Sequence, residues 1–323
     1  MTGNGTKDNP YICSTWQELQ SVTGSVSQNY VKMADLENEE DKIIDFLEIQ
    51  PDGFTGTVYL HGFIDFNNWT FKNFYSVSPT TAISIGGHQS GGTSRGGGLI
   101  ANLKMKNFFH NANSPADTQL PIHFLSYTNA EKEIAITNCE FYGELNYNNN
   151  VPSGASVSAE SFISFDGTPE DTRFITIEET GLNIKANCNR RIVLFGIHEM
   201  KKCRVKLDIS AASTTLITGG SGNYTDAIQR VKYCHFSGYI VDSSTTAHNV
   251  VVSGELSSFN VYDIESNVPL EYKGGGISVF NSQKASPSTY DTVFVGLTSE
   301  QLQNSQILLS AGFPCEVNEN GNN

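Results

Sequence analysis

The side chains that could do chemistry in this chain are scattered acids, histidines and cysteines. The carboxylates that alternate with apolar residues, and could therefore lie on the outer face of strands, are Glu144, Asp208, Asp242 and Asp263. Two facing carboxyl groups can hydrolyse a glycosidic bond, because one protonates the leaving oxygen while the other acts as base or nucleophile. No two of these acids can be paired from the sequence, and acids on a polar strand face are ordinarily solvated. They are candidates without a predicted catalytic arrangement.

Metal and nucleophile chemistry have no better support in the sequence. The histidines, which include His61, His123, His198 and His235, do not show the spacing of zinc ligands. We predict no nucleophile elbow, because the one Gly-x-Ser-x-Gly match, at residues 92–96, lies in a glycine-dense segment that no helix pattern follows. Its glycine-dense segment 86–98 lacks the Lys-Ser/Thr pair of a phosphate-binding loop and is interpreted as a surface loop. We therefore predict no catalytic residue, no metal site and no cofactor.

The element that must position these side chains is a short alternating strand interrupted by a bend. Residues 134–145 alternate apolar and polar residues on both sides of Asn138 and Cys139. Apolar side chains at every second position indicate a strand with one buried face. The asparagine indicates a sharp bend, in which its side chain can hydrogen-bond the backbone. This segment predicts two strands that meet at an angle.

The same layout recurs along the chain at a nearly constant spacing. The interval from Cys139 to Cys203 is about twice the interval from Cys203 to Cys234. The interval from Asn107 to Asn138 equals the shorter of the two. A copy without a cysteine is therefore expected midway between Cys139 and Cys203. Repeats of roughly 20–50 residues are typical of stacked units that cannot bury their apolar faces alone.

Short strands without a long helical pattern favour a parallel β-helix within the all-β class. In such a solenoid each coil consists of a few short strands joined by bends, and coils stack about 4.8 Å apart. An antiparallel sandwich or a propeller is the alternative that an all-β composition leaves open. The repeat positions predict a shared core that contains Cys139, Phe141, Cys188, Cys203, Val205, Cys234 and Phe236.

Four of the six cysteines occupy repeat positions, and none forms a Cys-x-x-Cys pair. Equivalent positions in successive coils would stack in register, so we predict a column of buried thiols that fill the core as small apolar groups. Disulfides or a zinc site are the alternatives. Reduced thiols, together with an N-terminus that shows no apolar signal segment, predict synthesis in a cytoplasm.

The composition is that of a folded, acidic protein. Of the 323 residues, 38% are hydrophobic and 17% are charged, and the formal net charge is -14. Because nucleic acids and anionic lipid surfaces are themselves negative, this charge argues against both as partners. No segment approaches the run of about 18 apolar residues that a membrane-spanning helix requires, so we expect no membrane insertion.

Each end of the chain shows the pattern of a short capping helix. Thr15 and Glu18 form a capping-box pattern before an apolar face, and Gly24 is expected to end that helix. Thr298 and Gln301 repeat the pattern near the C-terminus. Such helices would shield the unpaired edges of a solenoid. The predicted division is an N-terminal cap with a short helix and first strand (1–50), a parallel β-helix (51–297), and a C-terminal capping helix with a polar tail (298–323).

The strand, Asn-Cys bend and strand of residues 134–145 resemble the pectate-lyase-like superfamily of right-handed parallel β-helices. This likeness extends over residues 55–297. Residues 5–19, GTKDNPYICSTWQEL, are similar to the start of β-helix proteins of tailed bacteriophages of gut bacteria, and residues 297–314 resemble the ends of such chains. The resemblance implies a virion component, such as a tail spike, fibre or appendage, which is often trimeric and contacts the host surface. The full set of enzyme patterns of polygalacturonase-type β-helices, which are Asn-Thr-Asp, Asp-Asp, Gly-His-Gly and Arg-x-Lys, does not occur in the chain.

Three functions remain open. The first, which we favour, is a non-enzymatic bacteriophage virion protein that binds host surface glycan or a neighbouring virion protein. The second is a glycan depolymerase that uses outward carboxylates, with exposed aromatic rings as sugar platforms. The third is a bacterial surface adhesin or secreted lyase. By analogy with phage spikes that associate side by side, we expect a homotrimer located on the virion after synthesis in the host cytoplasm.

Overall fold

The computed structural model of the protein describes residues 1–24, 29–77, 82–86, 98–111, 122–125, 134–147, 160–166, 175–188, 191–197, 199–211, 213–218, 230–243, 250–252, 256–272, 274–288 and 293–313. The strands of these ranges form three sheets, named A, B and C here, and every strand pair within the sheets is parallel. The loop predicted over 86–98 lies mostly outside the described residues, and the polar tail predicted over 316–323 lies wholly outside them.

Sheet A contains, in spatial order, β1 (Tyr11–Cys13), β2 (Tyr30–Met33), β5 (Phe63–Asp65), β9 (Gly98–Ala101), β12 (Ile134–Thr137), β15 (Ile175–Glu178), β18 (Glu199–Lys201) and β21 (Arg230–Lys232). Sheet B contains β3 (Ile43–Asp45), β6 (Thr70–Lys72), β10 (Lys104–Asn111), β13 (Glu140–Tyr147), β16 (Gly181–Cys188), β19 (Arg204–Ala211), β22 (His235–Asp242), β24 (Val261–Ser266), β26 (Ser278–Asn281) and β27 (Phe294–Leu297), with β7 (Tyr75–Ser76) also beside β10. Sheet C contains β4 (Val58–His61), β8 (Ile83–Gly86), β11 (Ile122–Leu125), β14 (Glu160–Asp166), β17 (Arg191–Gly196), β20 (Ser213–Thr218), β23 (Val250–Val251) and β25 (Leu270–Glu271).

The order of these strands along the chain makes the protein an all-β parallel β-helix. The chain passes from β12 in sheet A to β13 in sheet B and β14 in sheet C, and then returns to sheet A with β15 beside β12. Each such circuit is one coil, and the coils stack by hydrogen bonds between equivalent strands. The predicted fold class is confirmed, and the sandwich and propeller alternatives are wrong because their strands pair antiparallel. The right-handed sense, which the resemblance to the pectate-lyase-like superfamily implies, stays a prediction.

The chain turns from sheet A to sheet B through one recurring backbone geometry, which we name the A–B bend. The first bend residue has a left-handed φ between 51° and 63° in seven coils: Asn68, Asn102, Asn138, Glu179, Lys202, Tyr233 and Phe259. The residue after it points into the core and is buried in each: Trp69, Leu103, Cys139, Thr180, Cys203, Cys234 and Asn260. This geometry redirects the chain without breaking the inward column. The first of the seven bends has a second left-handed residue, Asn67, with φ 49°.

The bend asparagines bond to one another instead of to the backbone. Asn138 Nδ2 donates to Asn102 Oδ1 over 2.6 Å, and Asn102 Nδ2 donates to Asp65 Oδ1 over 2.7 Å. The predicted side-chain bond to the local backbone is thus replaced by a ladder that links three successive coils. Because each amide both donates and accepts, one residue type can continue such a ladder from coil to coil.

A second ladder shows that one predicted equivalence is wrong. Asn107 Nδ2 donates to Asn73 Oδ1 over 3.0 Å, and Asn73 Nδ2 donates to Asp45 Oδ1 over 2.9 Å. Asn107 has φ 56° and lies within β10, where the pairing with β13 shifts register. It is therefore a bulge residue, and the true bend partner of Asn138 is Asn102.

The constant repeat predicted from the cysteines is also wrong. Equivalent bend positions are 36 residues apart from Leu103 to Cys139 and 41 residues apart from Cys139 to Thr180. The next pair of bend positions, Glu179 and Lys202, is only 23 residues apart. The strands keep their register because they are hydrogen-bonded to their neighbours, whereas the connections between sheets differ in length. A fixed sequence period therefore does not follow from a fixed structural period.

Six of the seven predicted core residues are at most 2% exposed: Cys139, Phe141, Cys203, Val205, Cys234 and Phe236. The seventh, Cys188, ends β16, and its side chain lies outside the described part of the structure. Among the described cysteines, Cys139, Cys203 and Cys234 are free thiols of the bend column. Burial raises the pKa of the Cys139 thiol to about 12, and its Sγ donates to the carbonyl oxygen of Thr137 over 3.2 Å. These thiols are packed as small core groups.

The helix α1 (Trp16–Val22) covers the N-terminal end of the stack. Thr15 is its N-cap, as predicted, and accepts a hydrogen bond from the Glu18 backbone N–H over 3.2 Å. The Glu18 carboxylate does not close the box, since it accepts instead from the Ser14 backbone N–H over 2.7 Å. The helix ends at Val22 with Thr23 as C-cap, one residue before the predicted Gly24. Short helices follow at η1 (Glu39–Lys42, a 3-10 helix) and α2 (Phe46–Ile49).

Two short helices cover the C-terminal end where one helix was predicted. They are α3 (Ser299–Leu302) and α4 (Ser305–Ser310). The capping box of Thr298 and Gln301 is formed in both directions. The helix is interrupted because the Asn304 side chain caps α4 by accepting from the Gln306 and Ile307 backbone N–H groups. The domain boundaries stay a prediction; β1, β2 and β3 of the predicted cap pair with strands of sheets A and B.

Candidate ligand-binding cleft

Polar and aromatic side chains gather on the outer face of sheet B. The residues that begin β13, β16, β19 and β22 pair directly and form a first row: Glu140, Gly181, Arg204 and His235. Two positions further along each strand, and therefore on the same face, lies a second row: Tyr142, Asn183, Lys206 and Ser237. Neighbouring members of a row are about 4.8 Å apart along the stack, so each row spans four coils over about 14 Å.

These rows line an open depression, which we name the sheet B cleft. Its main part has a volume of about 450 Å³ and is lined by both rows. A second part of about 350 Å³ lies over the A–B bend and is lined by Asn138, Glu179 and Lys202 as well. The two parts adjoin, because Glu140, Gly181 and Arg204 line both of them. The cleft therefore runs from the sheet face around to the bend.

Gly181 joins the two parts because it has no side chain. A Cβ built on Gly181 would meet only Glu140 Cγ, at 3.9 Å, and the residue has no left-handed φ. Gly238 is different, since its φ is +111° and a Cβ there would lie 1.9 Å from the carbonyl oxygen of Leu207. The backbone thus requires glycine at 238 but not at 181. What the glycine at 181 provides is open space between Glu140 and Arg204.

The two cations of the rows have no ionic partner within the described residues. Neither Arg204 nor Lys206 has a carboxylate oxygen within 4.0 Å there, whereas Lys185 reaches Glu144 at 3.3 Å and Lys202 reaches Glu179 at 2.8 Å. The guanidinium of Arg204 and the ammonium of Lys206 lie two residues apart on one face of β19. They can therefore bind an anionic or hydroxyl-rich ligand without first breaking an ion pair.

His235 supplies a neutral ring at the C-terminal side of the cleft. Partial burial lowers its pKa, the charges of Arg204 and Lys284 lower it further, and Asp263 opposes them. Asp263 itself is partly buried, which raises its pKa, but hydrogen bonds from Asn281 and Lys284 over 2.7 and 3.0 Å leave that pKa below its ordinary value. At neutral pH the imidazole can therefore exchange hydrogen bonds with a ligand hydroxyl.

Exposed aromatic rings border the cleft on this face. Tyr142 of the second row is 56% exposed, and Tyr239 on the outer face of β22 is 55% exposed. An exposed tyrosine presents an apolar ring face and a hydroxyl that hydrogen-bonds. Such a ring can cover the apolar face of a sugar while its hydroxyl contacts the sugar's polar edge.

None of the four acids singled out from the sequence lines the cleft. Glu144 pairs with Lys185, Asp208 is exposed beside it, and Asp263 pairs with Lys284 at 3.0 Å. Asp242 is only 6% exposed, so its predicted outward placement is wrong. It lies six residues after the buried Phe236, and strict alternation places both side chains on the inner face.

The histidines are separated in the structure. His61 is buried and its Nε2 lies 2.9 Å from Ser84 Oγ, whereas His235 lines the cleft. The side chains of His123 and His198 lie outside the described residues. Within the ranges described, no group of three or more His, Cys, Asp or Glu side chains could hold a metal ion. No helix in those ranges is long and apolar enough to span a membrane.

The cleft residues are difficult to find from the sequence. Arg204 and Lys206 form an Arg-x-Lys pair on an alternating strand, and that spacing does predict that both side chains share one face. The same spacing occurs at Arg230 and Lys232, so it does not single out the cleft. Which residues stand beside Arg204 depends on coil lengths that vary from one coil to the next.

Comparison with known proteins adds little to this geometry. No protein-family model matches the chain, and no curated protein matches it. Among solved structures, the crystal structure of a "putative immunoglobulin A1 protease" from Bacteroides ovatus is similar, with a TM-score of 0.48 and 16% sequence identity. The match covers 99% of this chain and 93% of that chain. A likeness this distant does not carry a function to the chain.

Proposed function

We propose that the protein is a bacteriophage virion component, such as a tail spike, fibre or appendage, that binds a host surface glycan in the sheet B cleft. The observation that carries glycan binding is the cleft itself, which exposed Tyr142 lines together with Arg204, Lys206 and neutral His235. An open cleft that crosses four coils suits an extended polymer better than a small enclosed ligand. The virion assignment rests on the resemblance of residues 5–19 and 297–314 to phage β-helix proteins.

Glycan binding is tested with a Tyr142→Ala variant. Binding of the native protein to a panel of purified bacterial capsular and cell-wall polysaccharides is measured by affinity gel electrophoresis, in which a bound protein is retarded. We expect Tyr142→Ala to lose at least tenfold in affinity, because stacking of a sugar on the ring is lost. Tyr59→Ala is the matched control, since Tyr59 is 38% exposed on sheet C, away from the cleft. Equal retardation of both variants and the native protein would contradict the site.

The virion assignment has its own tests. Mass spectrometry of purified phage particles from an induced host should detect the protein, and the neighbouring genes should encode portal, collar or tail proteins. A gene that lies among bacterial surface-protein genes would favour the adhesin instead. The proposed homotrimer is checked by light scattering, in which the mass of a single 35.3 kDa chain would contradict it.

A depolymerase is the second candidate, because the cleft also contains groups able to move protons. Glu140 and the neutral imidazole of His235 both belong to the first row, with Arg204 between Gly181 and His235. Either the carboxylate or the neutral imidazole could act as a base on a bound glycan, with the cation between them as charge stabiliser. Reducing ends that accumulate over many turnovers, and that are lost in Glu140→Gln and His235→Gln, would replace the binding role by an enzymatic one.

A further inference from the structure

We infer that copies of this chain associate end to end, through an apolar patch at the N-terminal end of one solenoid that docks on a different apolar patch at the C-terminal end of the next. The inference goes beyond the proposed function, because neither patch lines the sheet B cleft. Three observations carry it: the exposed apolar side chains of the two patches, their opposite charges, and their position on the same corner of the solenoid.

The last coils carry a hydrophobic cluster that is separate from the main core. The helices α3 and α4 pack against the last strands of sheet B through this cluster, whose buried members are Val279, Leu297, Leu308 and Phe313. More of its members are only partly buried, namely Phe259, Val261, Ile277, Val295, Leu302, Ile307 and Ala311. Apolar surface that the fold leaves half covered is characteristic of a contact with another protein chain.

Exposed side chains extend this cluster into a continuous surface, which we name the C-terminal patch. Its exposed members are Tyr233, Leu256 and Leu309, whose exposed fractions lie between 37% and 47%. The Tyr233 ring stacks on that of Phe259, with centroids 5.5 Å apart. The Phe259 ring in turn contacts that of Phe313, whose centroid is 5.9 Å away. The C-terminal patch therefore consists of Tyr233, Leu256, Phe259 and Leu309.

The first coil carries another exposed apolar surface, which we name the N-terminal patch. It consists of Ile43 in β3, which is 44% exposed, Leu47 in α2, which is 54% exposed, and the half-buried Leu36. The charge around it is strongly negative, because five of the seven residues 35–41 are acidic and all five are exposed. Lys42 does not neutralise them toward the outside, since its own side chain is buried.

The C-terminal patch, in contrast, borders positive charge. Arg230 and Lys232 lie on the outer face of β21, because the buried Val231 stands between them, and the next residue belongs to the patch. Ser258 pairs with Lys232, so Leu256, two residues earlier, lies beside Arg230. A protein with a net charge of -14 repels its own copies over most of its surface. The acidic N-terminal patch of a second copy is therefore attracted to this end of the molecule.

Both patches lie on the corner between sheets A and B, at opposite ends of the stack. Residues 34–42 connect β2 of sheet A with β3 of sheet B in the first coil, and Tyr233 and Phe259 are A–B bends of later coils. A copy placed beyond the C-terminal end, with its axis in the same direction, brings its N-terminal patch to this C-terminal patch. Such a contact joins two different surfaces, so it does not close with two copies and further copies can add.

The association is measured by small-angle X-ray scattering and sedimentation over a broad range of protein concentrations. We expect the mean mass to rise with concentration, because each patch exposes few side chains and a small contact is weak. The maximum dimension should rise with the mass while the cross-sectional radius stays constant, since copies add along the axis. High salt should weaken the association. A side-by-side trimer would enlarge the cross-section instead, so the two kinds of contact are distinguished.

Two variants each remove one patch. Leu47→Asp places a charge in the N-terminal patch, and Leu256→Asp places one in the C-terminal patch. Each variant alone should keep a constant mass at every concentration. An equal mixture of the two should associate again, but only to twice that mass, because it retains one intact patch of each kind. The matched control is Val241→Asp, since Val241 is exposed and belongs to neither patch, and it should associate like the native protein.

The outcomes separate this inference from the proposed function. A mass of the native protein that does not change with concentration would overturn end-to-end association. A mixture that fails to associate, although both variants keep the native circular dichroism and thermal midpoint, would overturn the pairing of the two patches. Both variants should keep the polysaccharide binding that Tyr142→Ala loses. Association of a native protein that binds no polysaccharide would overturn the proposed glycan binding and leave this inference standing.

Discussion

The same A–B bend is built from different side chains in the two halves of the solenoid. In the first coils the left-handed position holds Asn68, Asn102 and Asn138, and in the later coils it holds Glu179, Lys202, Tyr233 and Phe259. The φ values of the two groups overlap, at 51° to 63° and 51° to 58°. The backbone of the bend therefore does not depend on asparagine. What asparagine adds is a bond from one coil to the next.

The surface of the molecule changes where the asparagines stop. The ladder runs from Asp65 through Asn102 to Asn138, and the next bend residue is Glu179. The bend part of the cleft lies at this step, between Asn138 and Lys202. Beyond it the bend residues bond by charge and by stacking, as in the rings of Tyr233 and Phe259, whose centroids are 5.5 Å apart. Bend side chains therefore link successive coils in the first half, whereas in the second half they line the bend part of the cleft.

The largest effect should come from breaking the inner column that both halves share. Phe236 is fully buried and stacks on Tyr262 with ring centroids 5.1 Å apart, so Phe236→Asp places an unpaired charge inside the coil. We expect a loss of about 4 kcal/mol or more, and in practice an unfolded or insoluble protein. Phe141→Asp should behave in the same way. Tyr239→Asp on the same strand is the control, and it should change stability by less than about 0.5 kcal/mol. A soluble Phe236→Asp variant with a native melting curve would show that the strand faces are inverted.

The next effect should come from removing the middle of the ladder. Asn102→Ala deletes both side-chain bonds and places a Cβ-bearing residue without a stabilising amide at a left-handed φ. We expect unfolding by urea to show a loss of about 1–3 kcal/mol. Asn102→Gly accepts the φ without cost and loses only the bonds, so it should fall between the native protein and the alanine variant. If the glycine and native proteins are equally stable, the ladder contributes nothing.

A smaller gain is expected from extending the ladder into the second half. Glu179→Asn places an amide next to Asn138 at φ 51° and gives up an exposed ion pair with Lys202. Since an exposed pair contributes little, we expect a net stabilisation of about 0.5–1 kcal/mol in urea unfolding. Glu179→Gln removes the same charge with a side chain too long to match the ladder, and should give no gain. Equal stabilities for the two variants would show that the removed charge, and not the ladder, decides the result.

The smallest effect is a pH dependence at the start of the second ladder. A hydrogen bond from Asn73 is the main cause that lowers the pKa of Asp45, and the charge of Lys72 at 3.4 Å also lowers it. A carboxyl group whose pKa is lower in the folded state stabilises the protein above its unfolded pKa, and this contribution is lost as the pH falls through the folded value. Between pH 5 and pH 2, the urea midpoint of the native protein should therefore fall slightly more than that of Asp45→Asn. Parallel curves for the two proteins would contradict this contribution.

The fold was predictable from the sequence because it rests on local alternation. The cleft was not predictable, since it depends on which strands of successive coils lie in register. Residues 134–145 encode two strands and a bend in their own sequence, and the capping pattern at Thr298 encodes a helix. The meeting of Glu140, Gly181 and Arg204 depends on connections between equivalent bends, and the lengths of these connections differ nearly twofold. No local pattern encodes those lengths. Asn138, Cys203 and Cys234 marked their bends in the sequence, whereas Asn107, a bulge residue, was taken for the bend that Asn102 forms.

The buried thiols let the coils that contain them report their own opening. Only the thiolate reacts readily with alkylating reagents, and burial raises the pKa of Cys13 to about 11 and that of Cys139 to about 12. Cys13 lies in the first strand of sheet A, and Cys139, Cys203 and Cys234 lie in bends of the middle coils. Alkylation of these cysteines, followed over time and located by peptide mapping, would therefore give the rate at which each coil that holds a thiol opens. The order in which these native cysteines become labelled would therefore show from which end the solenoid unfolds.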